Sequence, residues 1–400
     1  MSIRAARARI IATAVVLAAL PTLAGTPAAA QDDGIRLDFL GERELPNAMP
    51  FQGTTVGGLS ALSYDARTGA YYVISDDRSQ TGPARFYTAH VDFADGALKG
   101  VELTGTHPWL RPDGTVFPPT STAGSTVAPD PEGIAVDPRD GSLAWTSEGE
   151  RIVPVDGPAL LGDPWIRRAT TTGASTGQLP LPPQLHMDSQ EFGPRKNKTL
   201  EGVTFTPDGR RIVTAMEDPL YQDGADPTPE HGALTRLTVH DARTGQPLAQ
   251  YAYPLEPLFA ATSAGSTDTN GVSDLVALGH DRFLVLERAS IYTDNNWKAR
   301  IYLVDLHGAT DVLGRDSLTD PSAPPVRPVR KTLVTDLSDV PGLPRVDNVE
   351  GITLGPRLPD GRRTVVLVSD DNFAARQVTQ FIAFATRGIQ GGDCPRECGC

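Results

Sequence analysis

The sequence predicts an all-β protein, a β-propeller of about five four-stranded blades, and three observations carry that expectation. A strand–turn–strand segment recurs five times, with starts roughly 70 to 80 residues apart. Weaker strands fill the intervals in pairs, which makes four strands per period. No ten-residue amphipathic helical pattern follows any strand, as a βαβ fold would require. Abundant glycine (39) and proline (35) suit many turns and few long helices.

Residues 1–30 read as a secretory signal peptide: Arg4, Arg7 and Arg9 precede an apolar run from Ile10 to Leu23, and Ala28, Ala29 and Ala30 supply small residues for cleavage. The mature chain is therefore expected outside the cytoplasm. It is short of a membrane span once the leader is removed. Losing three arginines makes it more acidic still than the formal −13 of the full sequence, which excludes a nucleic-acid or anionic-membrane partner. Residues 31–388 form the propeller domain, and 389–400 a tail holding all three cysteines, Cys394, Cys398 and Cys400, so no disulfide framework staples the fold.

The repeats are "GGLSALSYDARTGAYYVISDDR" from Gly57, "DPEGIAVDPRDGSLAWTSEGE" from Asp130, "LEGVTFTPDGRRIVTAMEDP" from Leu200, "GVSDLVALGHDRFLVLERAS" from Gly271 and "NVEGITLGPRLPDGRRTVVLVSDDN" from Asn348. Each alternates with period two on both sides of a Gly- or Asp-rich turn, the pattern of a β-hairpin. The last period supplies "QVTQFIAFA" and then ends, so "IRLDFLGEREL" near the mature N-terminus is expected to complete that blade. A sixth blade would have to hide in Thr106–Pro129 or Pro254–Asn270.

A hairpin folds both of its open ends to one side. If these hairpins are the inner strands of the blades, their flanking acids gather at one mouth of the central channel: Asp76, Asp77, Asp130, Glu132, Glu148, Glu150, Glu201, Glu217, Asp218, Asp274, Glu287, Glu350, Asp370 and Asp371. Arg78, Lys198 and Arg288 are the main counter-charges and the candidate substrate-binding residues. So many carboxylates need raised pKa values, basic partners or a bound cation. An oxygen-only ligand set favours a hard cation, calcium, with Asp76, Glu132, Glu201, Glu217, Asp274, Glu350 and Asp370 as candidate ligands. A carboxylate not occupied by metal, Glu201 or Glu148, is the candidate proton acceptor. Taken singly, any of these acids also suits a turn cap or a bond between blades. The repeated Glu-Gly is the stronger signal, although its glycine has a structural use where backbones crowd the axis.

The ordered motifs "GGLSALSYD…YYVISDD", "DPEGIAV…SEGE", "NKTLEGVTFTPDG…AMEDPL", "GVSDLVALGHDRFLVLER" and "NVEGI…LVSDDNF" resemble the secreted phytase-like family, labelled esterase-like activity of phytase, over about Phe51 to Phe384. The resemblance implies a propeller that acts on phosphate esters or related small esters outside the cell. β-Propeller phytases hold several calcium ions at an acidic mouth, where the ions bind substrate phosphates and activate water. The Asp-Ala/Thr-Asp-Asp-Pro-Ala stretch expected of those enzymes is absent here, so phytate does not follow as the substrate.

Other chemistries find less support. "GASTG" at Gly173–Gly177 fits the nucleophile-elbow pattern but lies between two strands, where a hairpin turn is expected. Ser60 and Ser273 take the Glu position of their repeats without a histidine suited to a triad, and no HxH or HExxH zinc motif occurs. His186 sits in a loop leading to the third blade. Trp109, Trp165 and Trp297 lie away from the strand starts, against glycan stacking. The expected function is a monomeric, calcium-assisted hydrolase of a small ester or phosphate ester. A calcium-dependent lactonase or arylesterase and a non-enzymatic, calcium-stabilised binding propeller are the alternatives.

Overall fold

A computed structural model of the chain describes residues 34–121, 126–260, 268–279, 281–291 and 296–388. The leader and the cysteine tail expected from the sequence lie outside the described residues. The architecture is a five-bladed β-propeller of five four-stranded antiparallel sheets, so the intervals that could have hidden a sixth blade contribute no further four-stranded sheet among the described residues. No helix is long and apolar enough to cross a membrane among those residues.

The inner strands are Leu59–Tyr64, Pro131–Val136, Leu200–Phe205, Asp268–Gly279 and Asn348–Arg357. Each neighbours the inner strand of the next blade, and the fifth returns to the first. Each is paired with the following strand of its own repeat, as the alternation predicts. The ring closes through Arg36–Leu45, which forms the outer edge of blade 5 against Thr379–Arg387. Five apolar clusters fill the five junctions between blades. Trp109 stacks on Trp145 with ring centroids 4.6 Å apart at the junction of blades 1 and 2. Phe381 packs with Leu59 and Val73 at the junction of blades 5 and 1. The "GASTG" stretch ends a hairpin turn and begins the strand Ser175–Leu179, with Gly173 at φ +86° and the Gly173 N–H donating to the Thr170 carbonyl.

One irregularity recurs in all five blades. The register slips between Leu59 and Ala61, between Pro131 and Ile134, between Leu200 and Val203, between Val272 and Asp274, and between Val349 and Gly351. Each slip is a β-bulge, and the unpaired residues at these places are Ser60, Glu132-Gly133, Glu201-Gly202, Ser273 and Glu350. A bulge takes one residue out of the alternation and re-aims its side chain. The Glu-Gly repeat is therefore the sequence trace of a bulge. Its glycine is required by close approach: a Cβ on Gly133 would lie 2.4 Å from the Glu201 carbonyl oxygen, and one on Gly202 2.9 Å from the Asp274 Cα.

Gly133→Ala should therefore cost about 1–3 kcal/mol through overpacking between blades 2 and 3. Gly177→Ala, where no atom lies within 4 Å of the added carbon, should stay within about 0.5 kcal/mol of the parent. Urea unfolding of the two variants checks the contrast, and equal midpoints would contradict the crowded-axis reading.

Candidate functional site

The bulges and the strands beside them build the mouth from two five-membered rings. The first ring consists of the bulge residues Ser60, Glu132, Glu201, Ser273 and Glu350. The second follows the last equivalent pair of each inner hairpin and consists of Asp76, Glu148, Glu217, Arg288 and Asp370. These residues correspond because Leu59, Pro131, Leu200, Val272 and Val349 pair with Ser75, Ser147, Met216, Glu287 and Ser369. Seven of the ten positions are carboxylates: Ser60 and Ser273 interrupt the first ring, Arg288 interrupts the second, and blade 4 alone breaks both.

Seven of these ten, Asp76, Glu132, Glu201, Glu217, Arg288, Glu350 and Asp370, border a cavity of about 530 Å³ whose wall is completed by Arg78, Asp130, Lys196, Lys198, Asn197, Thr269, Ser290, Trp297, Asn348 and Asn372, while Ser60, Glu148 and Ser273 do not border it. Two carboxylate triads lie over blades 2 and 3. Asp130, Glu132 and Glu148 form one, Glu148, Glu201 and Glu217 the other, and in each triad one oxygen per residue lies within 4.8 Å of the other two. Glu148 belongs to both. It is held from beneath by the Thr199 backbone N–H, and the Thr199 hydroxyl donates to the Glu148 carbonyl at 2.9 Å.

The electrostatics follow from burial and crowding. Burial, and then the neighbouring carboxylates, push Asp76, Glu132, Glu148, Glu201 and Asp370 well above the usual carboxylate range. Burial also raises Asp130, Glu217 and Glu350, but Arg78 opposes the rise at Asp130 and Arg288 at the other two. Asp218 is pushed up to about 7 by burial, against the pull of Lys198. Burial disfavours the charge on Arg78 and Arg288, yet the surrounding carboxylates outweigh it and hold both firmly protonated.

The three expected substrate-binding cations are on the cavity wall, and each is already engaged. Arg78 bonds the Asp130 carboxylate and the Asn197 side chain. Arg288 donates to Glu217 at 2.9 Å and to the Asn348 carbonyl oxygen of the side-chain amide at 3.1 Å. Lys198 donates to Asp218 at 2.5 Å and to Asp226 at 2.8 Å. Lys196, which the sequence reading passed over, is half-exposed and has one longer contact, 3.4 Å to Glu150.

Six of the seven expected metal ligands, Asp76, Glu132, Glu201, Glu217, Glu350 and Asp370, border the cavity. Asp274 does not. It stands one residue past its bulge, in the place of the glycine, and its carboxylate accepts from the Leu275 N–H at 2.8 Å and the Ile352 N–H at 2.9 Å. Glu287 likewise stands one residue before the ring position. It accepts from the Tyr253 hydroxyl at 2.7 Å and pairs with Lys331 between blades 3 and 4. Asp77 and Asp371 are used locally, by Arg85 and by the Gly58 N–H. His186 pairs with Asp163 at 2.7 Å and does not border the cavity. Trp297, which the sequence suggested was remote, does border it, with the Arg288 guanidinium 5.7 Å from its ring centroid. No sequence motif announces it: it reaches the wall as the cross-strand neighbour of Ser290.

No curated relative matches the chain. Several solved structures are similar to it in part. They include a protein described within the GH130 family of mannoside phosphorylases and glycoside hydrolases (12% identity, 91% of this chain and 95% of that one, TM-score 0.43). An arabinanase of Bacillus subtilis (11%, 82% and 94%, TM-score 0.40) and a thermostable family-43 glycoside hydrolase (10%, 82% and 90%, TM-score 0.41) are further examples. A family model matches residues 54–373, which span all five blades, and by that match the chain belongs to the phytase-like family, described as esterase-like activity of phytase.

Proposed function

We propose that the protein is an extracellular, cation-assisted ester hydrolase whose reaction centre is the pair of carboxylate triads over blades 2 and 3. The observation that carries this reading is the concentration of buried acids there, Asp130, Glu132, Glu148, Glu201 and Glu217, with less cationic compensation than charge. The donor set fits a hard divalent cation such as calcium, because every triad ligand is a carboxylate oxygen, with no thiolate or imidazole. When bound, such a cation supplies positive charge beside a phosphoryl or acyl oxygen of the substrate.

The chain's own residues have separable tasks under this reading. Glu148, common to both triads, is the ligand on which the arrangement turns. Glu201 borders the cavity and, left ionised beside a cation held by the other triad carboxylates, is free to take the proton from attacking water. Arg78 and Arg288 fix their carboxylates, Lys198 is held by Asp218 and Asp226, and Lys196 meets the incoming anion. A carboxylic ester or lactone is the second reading. It is favoured by the saturation of Arg78, Arg288 and Lys198, since several phosphates would need several uncommitted cations.

Two expected outcomes test these roles. Calcium should raise the melting temperature over a chelated sample, by the equivalent of about 2.7 kcal/mol at about 100 times its Kd. That increment should grow as pH rises above about 4, the ordinary carboxylate value, into the raised range in which Glu132, Glu148 and Glu201 lose their protons. The sign follows because raised carboxylates hold protons in the folded state at the low end of this window, and those protons compete with the cation. A pH-independent or absent increment would count against a carboxylate cation site. In a hydrolysis screen of p-nitrophenyl phosphate, a phosphodiester, phytate, p-nitrophenyl acetate and a lactone, turnover of at least one substrate should disappear with chelator. Glu201→Gln should lower that turnover by at least about 100-fold. Activity indifferent to chelator, or none on any substrate, would remove the hydrolase reading.

A further inference from the structure

The cavity is chemically two-sided. Blades 2 and 3 carry the triads, while the wall from blade 4 bears no carboxylate and is hydrogen-bonding. Thr269, Ser290 and Trp297 are direct cross-strand partners on three adjacent strands of that blade, so they form one row along the cavity. Arg288 lies two residues before Ser290 and shares its face of the strand.

Two polar atoms of this wall have no partner among the described residues, Ser290 Oγ and Arg288 Nε, and a third, Asn372 Nδ2, borders the same cavity from the loop after the blade-5 strand Arg363–Asp370. Ser290 is fully buried and Arg288 only 9% exposed. A buried hydrogen-bonding group left unsatisfied is costly, and native structures retain few of them. Two of the three are donors only, and the hydroxyl can donate as well. The unmet need of this wall is therefore for acceptors. It is not a need for negative charge, because the other nitrogens of Arg288 are already committed to Glu217, Glu350 and Asn348.

We infer that the blade-4 wall is the seat of the substrate's organic half, which is uncharged and bears hydrogen-bond acceptors, with Ser290 as a specificity-determining residue. This rests on the ester-hydrolase reading and narrows it. One anionic or ester head faces the triads, and a neutral, oxygen-bearing group lies against Ser290 and Arg288 Nε. A substrate bearing many anionic groups is excluded by the same wall, since it would place charge where the cations are already neutralised.

The test uses binding rather than turnover, so that it reads independently of the hydrolase reading. Calorimetric titrations of the calcium-loaded protein would compare ethylphosphonate with 2-hydroxyethylphosphonate, and propionate with 3-hydroxypropionate. Within each pair only the acceptor-bearing group differs. In at least one pair the hydroxylated ligand should bind about fivefold more tightly, the factor that one neutral hydrogen bond contributes. Ser290→Ala should erase that preference while leaving the melting temperature unchanged or higher, because it removes a hydroxyl that lacks a partner in the free protein. Inositol hexasulfate should bind no more tightly than sulfate. A preference that survives Ser290→Ala, no preference or no binding in both pairs, or tight binding of the hexasulfate would overturn the inference. Loss of the hydrolase reading would appear separately, as absent turnover with the binding preference intact.

Discussion

Repulsion among carboxylates held at one channel mouth is the constraint on which the rest of this structure depends. Seven of them occupy the two rings, Asp130 adds another, and burial strengthens every unfavourable pair by reducing the screening that water provides. The fold answers this in three ways. Arg78 and Arg288 lie among the acids and neutralise the blade 1–2 and blade 3–5 sides. Backbone N–H groups, such as that of Thr199 toward Glu148, stabilise charge from beneath. The remainder is left to protonation or to a cation. Buried ion pairs of this kind are weak evidence for stability, so their concentration at a single opening is better understood as the cost of a binding site.

The bulge is the device that creates the constraint. Regular alternation would place successive residues on opposite faces of each inner strand. The slip at Glu132, Glu201 and Glu350 turns each glutamate into the mouth, and the glycines at 133, 202 and 351 let the neighbouring strand approach. Blade 4 departs from the rule in a useful way. With Ser273 on the bulge, Asp274 fills the position of the glycine and uses its oxygens on backbone N–H groups of blades 4 and 5. Blades 4 and 5 are thereby tied together beside the wall that bears no carboxylate. Ser60 and Ser273 keep buried hydroxyls without partners among the described residues, which gives the two breaks in the bulge ring the same character.

Much of this was legible in the sequence, and the losses have a common cause. Period-two runs with turns between them gave the hairpins, and the unfinished last repeat gave the closure by Arg36–Leu45. The Glu-Gly repeat located the mouth. What alternation could not convey was a one-residue shift. Asp274 and Glu287 are carboxylates near strand ends, but each stands one step from a ring position and so faces away from the cavity. Ser290 was passed over, and Trp297 was placed away from the mouth, for the complementary reason. Ser290 closes the fourth repeat without matching an acid of the other repeats, Trp297 lies outside the repeats, and both meet the cavity only through cross-strand register. Ser290 had one available signal, its spacing of two from Arg288. Lys196 had none, because only the geometry separates a cation held closely by two acids, as Lys198 is, from one that is half-exposed with a single longer contact.

The central claim is that the two triads hold cations through the carboxylate they share. Equilibrium dialysis against calcium, performed on the wild-type chain and on Glu148→Gln, tests it most directly. The wild type should retain calcium in stoichiometric amount, and the variant, which keeps the size and hydrogen-bonding reach of the side chain but removes its charge, should lose it at the same free concentration. Equal retention by both proteins, or none by the wild type, would contradict a cation site built on Glu148.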